Sequence, residues 1–332
     1  MPAAERGGRG PARRDAGSAA VAPHDPRLTE RRNPATVDLD LADPAHIVEL
    51  LNREDRKVPD AVWAVREEVA RAITMVEAAF RAGGRLLYVG AGTSGRLGAL
   101  DAAECPPTFG SPPEMVQVIM AGGASALIRS AEGAEDDFDA GAAAVDAREA
   151  GARDVVFGIA ASGTTPFVRG ALARAAARGA RTVVLACTDP PRDVLANVDL
   201  AILPKVGPEA LTGSTRLKAG TATKLVLNAV TTGAMIRMGR AYGNLMVDLV
   251  ALSDKLRDRG ERIVMEVCRV DRATARRVLG EADGHVKTAI VMLLVGVDHE
   301  TAGRLLTEAG GSVRLAVGAP PPAPPAEGGA DG

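Results

Sequence analysis

A short apolar run, then a glycine- and hydroxyl-rich loop, then a helix: no other feature limits the possible folds of this chain as much as this repeated unit. Leu86 to Val89 reads as a buried strand, and Gly90-Ala91-Gly92-Thr93-Ser94-Gly95 as the loop. The following helix is expected to run to about Glu104, where Cys105-Pro106-Pro107 ends it. The same order recurs. Met115 to Met120 reads as a strand before a Gly-Gly turn, with helical segments on to Gly151. Asp154 to Ile159 reads as a strand before Ala161-Ser162-Gly163-Thr164-Thr165-Pro166 and a helix to Arg178. Arg181 to Cys187 and Leu200 to Leu203 complete a set of strands alternating with helices, the pattern of a parallel sheet covered on both faces. The expected class is therefore α/β with a doubly wound parallel sheet.

The flanks divide the 332 residues further. Residues 1–33, rich in Ala, Gly, Arg and Pro, read as a disordered tail, as do residues 318–332. Val62, Val65, Val69, Ile73, Val76 and Phe80 step by three and four and predict one helix from about Pro59 to Arg81. A long helix from about Thr215 to Met238 is apolar on nearly every side, as a helix buried in the core or between subunits would be. Beyond it the strands stop. Asp271 to Glu281, His285 to Leu294 and Asp298 to Glu308 predict three short helices, so residues 34–260 form the α/β body and 261–317 a small all-helical domain.

Composition excludes several function classes. The net charge of −2 and the 2% aromatic content give no basic surface and no stacking platform, so no nucleic-acid partner is expected. The longest strongly apolar stretch, Ala289 to Val297, is too short to span a bilayer, and the N-terminus has no apolar signal core. Cys105, Cys187 and Cys268 are odd in number and far apart, which suits a reducing, cytoplasmic setting without disulfides. No His, Cys, Asp and Glu spacing suggests a metal, and no cofactor is expected. The four histidines lie away from the loops, so acid–base work falls to carboxylates or lysines.

The loops carry the ligand chemistry. Gly90, Gly92 and Gly95 spell the dinucleotide-binding pattern, but the second strand ends in Met120-Ala121-Gly122 where that pattern needs an acid for the ribose. Thr93 and Ser94, and again Ser162, Thr164 and Thr165, instead suit the three terminal oxygens of a phosphomonoester at helix N-termini. A third cluster, Thr212-Gly213-Ser214-Thr215-Arg216-Leu217-Lys218, opens the long helix and adds cations. Each loop alone reads as ordinary capping; three in one body point to a phosphate ligand. Glu104, read as the end of a helix among apolar neighbours, has the setting of a general acid or of a solvated surface Glu. Glu135, in Glu132-Gly133-Ala134-Glu135-Asp136-Asp137, reads as part of a solvated acidic helix start.

Taken together, these motifs resemble those of the N-acetylmuramic acid 6-phosphate etherases. The resemblance rests on Tyr88 to Gly98, Asp101-Ala102-Ala103-Glu104-Cys105-Pro106-Pro107-Thr108, Glu132 to Asp136, Gly158 to Gly163, Thr212-Gly213-Ser214, Lys218 to Ala222 and Gly243 to Asp248, and runs from about Thr29 to Val317. It implies a sugar isomerase (SIS) domain, a helical C-terminal domain, a homodimer and no metal. It implies loss of D-lactate from N-acetylmuramic acid 6-phosphate, with Glu104 and Glu135 as the catalytic pair and Gly92, Thr93, Ser94, Ser162, Thr164, Thr165, Ser214 and Lys218 holding the substrate. A sugar-phosphate-binding regulator and an aldose–ketose isomerase on the same fold are the alternatives.

Overall fold

The computed structural model describes residues 27–129, 131–249 and 254–323. Its centre is a five-stranded, all-parallel sheet in the order β2-β1-β3-β4-β5, built from β1 (Leu86–Gly90), β2 (Val116–Met120), β3 (Val155–Ile159), β4 (Arg181–Leu185) and β5 (Leu200–Ile202). The strands are near-continuous apolar runs because both faces are covered. Ahead of the sheet come α1 (Pro44–Asp55), α2 (Val58–Trp63) and α3 (Arg66–Arg81); α4 (Gly92–Phe109) links β1 to β2. The later crossovers are α5 (Phe138–Ala147), α6 (Pro166–Ala177) and α7 (Arg192–Ala196), and α8 (Lys218–Arg237) follows β5. Leu86, Tyr88, Phe157, Ile159, Val183, Leu185 and Ile202 face α3, α4 and α8. Leu87, Val89, Val156 and Val184 face α5 and α6. The result is a three-layer sandwich.

Chain order fixes where a ligand can enter. The link through α4 takes the chain from β1 to one side, and the link through α5 brings it back to β3 on the other side of β1. The loops after β1 and β3 therefore leave the sheet in opposite directions and open a crevice at its carboxyl edge.

Several expected boundaries move. The helix predicted over Pro59–Arg81 is two helices, with Val65 out of helical geometry (φ −108°, ψ 21°). The break lets α2 turn Val58 toward Cys187, Val206, Ala219 and Ala222 while α3 packs on the sheet. α4 does not stop at Glu104 but runs through Pro106 and Pro107 to Phe109. The prolines remove the donors for the carbonyls of Ala102 and Ala103. Burial of Cys105 and Phe109 holds the last turn nonetheless, and left-handed Gly110 closes it by donating to the Pro106 carbonyl. Tertiary packing outweighs the local proline signal here.

Residues 27–33, expected in the tail, belong to the fold. The Leu28 N–H donates to Thr188 Oγ1 (3.2 Å), the Thr29 carbonyl accepts from the Gly213 N–H (3.2 Å), and Asn33 Nδ2 donates to the Pro208 carbonyl (3.1 Å). Residues 1–26 and 324–332 lie outside the described residues, whereas 318–323 are described, and Tyr242 Oη donates to the Ala319 carbonyl (3.0 Å). The expected boundary at 260/261 falls inside α9 (Asp254–Cys268). Tyr242, Val247 and Leu249 already belong to the second core, formed with α9, α10 (Arg272–Glu281), α11 (Val286–Val295), α12 (His299–Glu308) and α13 (Val313–Val317). The short helices start where their caps lie: Asp271 and Asp298 accept from Thr274 and Thr301 N–H.

Candidate functional site

The crevice between β1 and β3 is a cavity of about 430 Å³. Gly92, Thr93 and Ser94 line it from one loop, and Ser162, Thr164 and Thr165 from the other. Glu135 and Asp136, from a single 3-10 turn before α5, close one side. Arg27 and Glu30 of the N-terminal strap close another, with Gly213 and Thr215.

Close backbone approach builds the first loop. A Cβ on Gly90 would stand 2.6 Å from the Gly95 N, and one on Gly95 2.7 Å from the Gly90 O. The glycines let the first turn of α4 sit directly on the end of β1. That turn has no side-chain cap, and its first backbone bond is Gly95 N–H to the Ala91 carbonyl. The N–H groups of Gly92, Thr93 and Ser94 therefore precede the helical ladder, as an anion site requires. α6 likewise has no side-chain cap, and Ser162 Oγ lies 3.0 Å from Thr164 Oγ1. Ser162 Oγ also accepts from the Thr164 N–H (3.3 Å) in the loop, but no hydroxyl caps α4 or α6.

Glu135 is held against the second loop by two glycines. A Cβ on Gly141 of α5 would meet the Phe167 carbonyl at 2.0 Å, and one on Gly170 of α6 would meet the Phe138 carbonyl at 1.9 Å. The first turns of α5 and α6 thus cross in backbone contact, which fixes the turn carrying Glu135 relative to Ser162 and Thr165.

Two expected ligands do not reach this cavity. Ser214 is not among its lining residues, where its neighbours Gly213 and Thr215 stand. Lys218 is 1% exposed, and its Nζ donates to Glu54 Oε2 at 2.5 Å. The N-terminus of α8 is also occupied from within, since Glu209 accepts from Lys218 N–H (3.0 Å) and Ala219 N–H (2.9 Å). A buried carboxylate already takes the anion position there. Burial alone would raise the Glu54 carboxyl, but hydrogen bonds from Lys218, Lys57 and Asn33 and the Lys218 charge outweigh it and hold it at about 2.

Glu104 lies elsewhere. It is exposed on α4 and lines a separate cavity of about 450 Å³ between α4, α8 and the segment 240–246. One turn earlier, Asp101 is buried, accepts from Tyr88 Oη (2.9 Å) and stands 3.6 Å from Lys224 Nζ. Burial pushes the Asp101 carboxyl up, against the pull of Tyr88 and Lys224. A single chain thus brings Glu135 to the hydroxyl loops and places Glu104 in a different cavity. Arg27 and Glu30 line the cavity of the hydroxyl loops without having been singled out in the sequence, and Thr215 lines it from within the third hydroxyl cluster in place of Ser214. The strap was hidden in a composition typical of tails, though Thr29 to Pro34 carried a motif signal. Among the described residues no group of His, Cys, Asp and Glu could hold a metal ion, and no helix is long and apolar enough to cross a membrane.

An all-parallel sheet with hydroxyl-lined loops at its switch point defines an α/β domain of the SIS class. Residues 68–176 match the family described as the glucokinase regulatory protein N-terminal SIS domain. Over 264 residues the chain is 53% identical to an N-acetylmuramic acid 6-phosphate etherase of Gloeobacter violaceus, covering 80% of this chain and 86% of that one. It is 52% identical to one of Thermosynechococcus vestitus and 50% identical to one of Pectobacterium atrosepticum, covering 80% of this chain in both cases and 85% and 87% of theirs. The chain belongs to the N-acetylmuramic acid 6-phosphate etherase family.

Proposed function

We propose that this protein is a cytoplasmic carbon–oxygen lyase that cleaves the D-lactyl ether of N-acetylmuramic acid 6-phosphate, giving N-acetylglucosamine 6-phosphate and D-lactate. The observation that carries this reading is the switch-point cavity, where uncapped helix N-termini, five hydroxyls from two loops and one glutamate converge. The phosphate is held by the N–H groups of the Gly92 turn and by Thr93, Ser94, Ser162, Thr164 and Thr165, with Thr215 in the place first given to Ser214.

An alkyl ether is a poor leaving group and resists direct hydrolysis. Opening the sugar to its aldehyde acidifies the C2 proton. Glu135 removes that proton, Glu104 protonates the departing lactate oxygen, and water activated by Glu104 adds back at C3. Both carboxylates must reach one substrate, yet in one chain they line separate cavities. A homodimer meets that requirement. Leu100 and Glu104 of α4 and Leu225 and Ile236 of α8, two helices packed on each other, are exposed, and a second copy docked on this face would carry its Glu104 to the other chain's loops.

The test is incubation with N-acetylmuramic acid 6-phosphate in deuterated water. D-lactate and deuterium at C2 of the product are expected. Lactate without deuterium would exclude the elimination route, and binding without lactate would favour the regulator reading, which the match over residues 68–176 keeps in view.

A further inference from the structure

The cavity that holds Glu104 has a chemistry unlike that of the switch-point cavity. Two cations line the Glu104 cavity: Lys224, whose side chain is 30% exposed, and Arg240, which is 19% exposed and already donates to the Phe109 carbonyl (2.6 Å) and to Asp248 (3.2 Å). The Lys224 ammonium stands 3.6 Å from Asp101 Oδ1, longer than a full hydrogen bond, and an ammonium has three N–H groups to place. Asn228 lies one helical turn further along α8 and is exposed into the same space. Around these donors Phe109, Ile236, Leu245 and Met246 form an apolar wall. The cavity therefore offers the Lys224 ammonium, the amides of Asn228 and Asn244 and a greasy side, and Glu104 lines it as well.

The proposed substrate has two anions, a phosphate and the carboxylate of its lactyl arm. In that arm a single carbon separates the ether oxygen from the carboxylate and also bears a methyl group. A residue that protonates the ether oxygen must therefore stand within a few bond lengths of whatever binds the carboxylate. We propose that Lys224, with Asn228, binds the lactyl carboxylate and that the apolar wall receives its methyl, so that the two anions of the substrate are held by two different cavities. This rests on the reading that Glu104 acts at the lactyl oxygen. It makes Lys224 the residue that separates a lactyl-bearing phosphosugar from one with a free hydroxyl.

The carboxylate keeps its charge from substrate to product, so its partner stabilises ground and transition states alike and acts on KM rather than kcat. The experiment uses the full chain and its K224M, K224R and N228A variants. Lactate release from N-acetylmuramic acid 6-phosphate is measured by steady-state kinetics. Equilibrium binding of that compound and of N-acetylglucosamine 6-phosphate, which lacks the carboxylate, is measured by calorimetry. In K224M, KM should rise about 10- to 100-fold, as expected for losing one charge-assisted hydrogen bond, with kcat within about threefold of wild type. Affinity for N-acetylglucosamine 6-phosphate should stay within about twofold in all three variants. K224R should restore most of the loss, and N228A, at an exposed position, should raise KM by a smaller factor.

Equal losses of affinity for both sugars would overturn the proposal, as would an unchanged KM or a fall in kcat alone. Should the wild-type protein release no lactate, the etherase reading fails by itself. The carboxylate site is then judged on binding: preference for the lactyl-bearing sugar that survives in K224M and N228A overturns it, and preference lost in both supports it.

Discussion

Replacing Lys218 with Met removes one half of a buried ion pair, and the structure sets the size of the effect. Lys218 and Glu54 have side chains 1% and 2% exposed and meet at 2.5 Å. Breaking such a pair from one side costs about 3–5 kcal/mol, because the remaining charge is left in a poorly solvating interior. In K218M, Glu54 keeps Lys57 at 2.5 Å, a half-exposed partner, so the loss should fall near the lower end, about 3 kcal/mol. E54L strands the Lys218 ammonium with no such substitute and should cost about 4–5 kcal/mol. The double variant K218M/E54L removes both charges and should recover to within about 1–2 kcal/mol of wild type. Urea unfolding followed by far-ultraviolet circular dichroism measures all three. Folded K218M/E54L should also bind N-acetylglucosamine 6-phosphate within about twofold of wild type, because the Lys218 ammonium does not reach the cavity. A double variant no more stable than E54L would refute the ion-pair reasoning. A loss of phosphosugar affinity of about tenfold or more would return Lys218 to the phosphate site.

Three further outcomes test the site and its scaffold. E104Q and E135Q should each abolish lactate release, and mixing the two after dissociation and reassociation should restore roughly a quarter of wild-type activity if each site draws one glutamate from each subunit; no recovery would place both glutamates in one chain. G141A or G170A should destabilise the protein by about 2 kcal/mol or more, since either Cβ collides with a carbonyl across the α5–α6 crossing, and G141A should lower kcat by moving Glu135; a melting temperature within a degree of wild type would count against the crossing as a clamp. The Glu54 carboxyl sits at about 2 in the fold and near 4.5 when exposed, so its contribution is complete above about pH 4.5 and is lost as pH falls toward 2. Urea midpoints at pH 6, 4 and 3 should therefore fall less steeply in K218M than in wild type, and parallel slopes would contradict the assignment.

Much of the sheet was legible in the sequence because strands buried on both faces need unbroken apolar runs, and Leu86 to Val89 and Val155 to Ile159 can do little else. The six hydroxyl-loop positions from Gly92 to Thr165 were legible for a similar reason: glycine spacing and Thr or Ser type are local properties. Helix ends were less so. The stop expected at Pro106 fails because burial of Cys105 and Phe109, remote in origin, carries α4 onward. Residues 27–33 look like a tail by composition, and only their bonds to Thr188, Pro208 and Gly213 make them a wall of the cavity.

The sequence by itself determined the α/β class and the hydroxyl-rich loops, because each depends on residue type within a short window, whereas Glu135 was singled out only by the resemblance of longer motifs. Only the tertiary structure decided which charges are spent internally and which remain for a ligand. Lys218 and Lys224 sit on one helix with similar local surroundings, yet the first is buried against Glu54 from α1 and the second opens into the cavity of Glu104. No short-range pattern encodes that difference, since the partner that removes Lys218 from the site lies 164 positions away. The separation of Glu104 from Glu135 likewise follows from the path of α4 and α5 on opposite faces of the sheet.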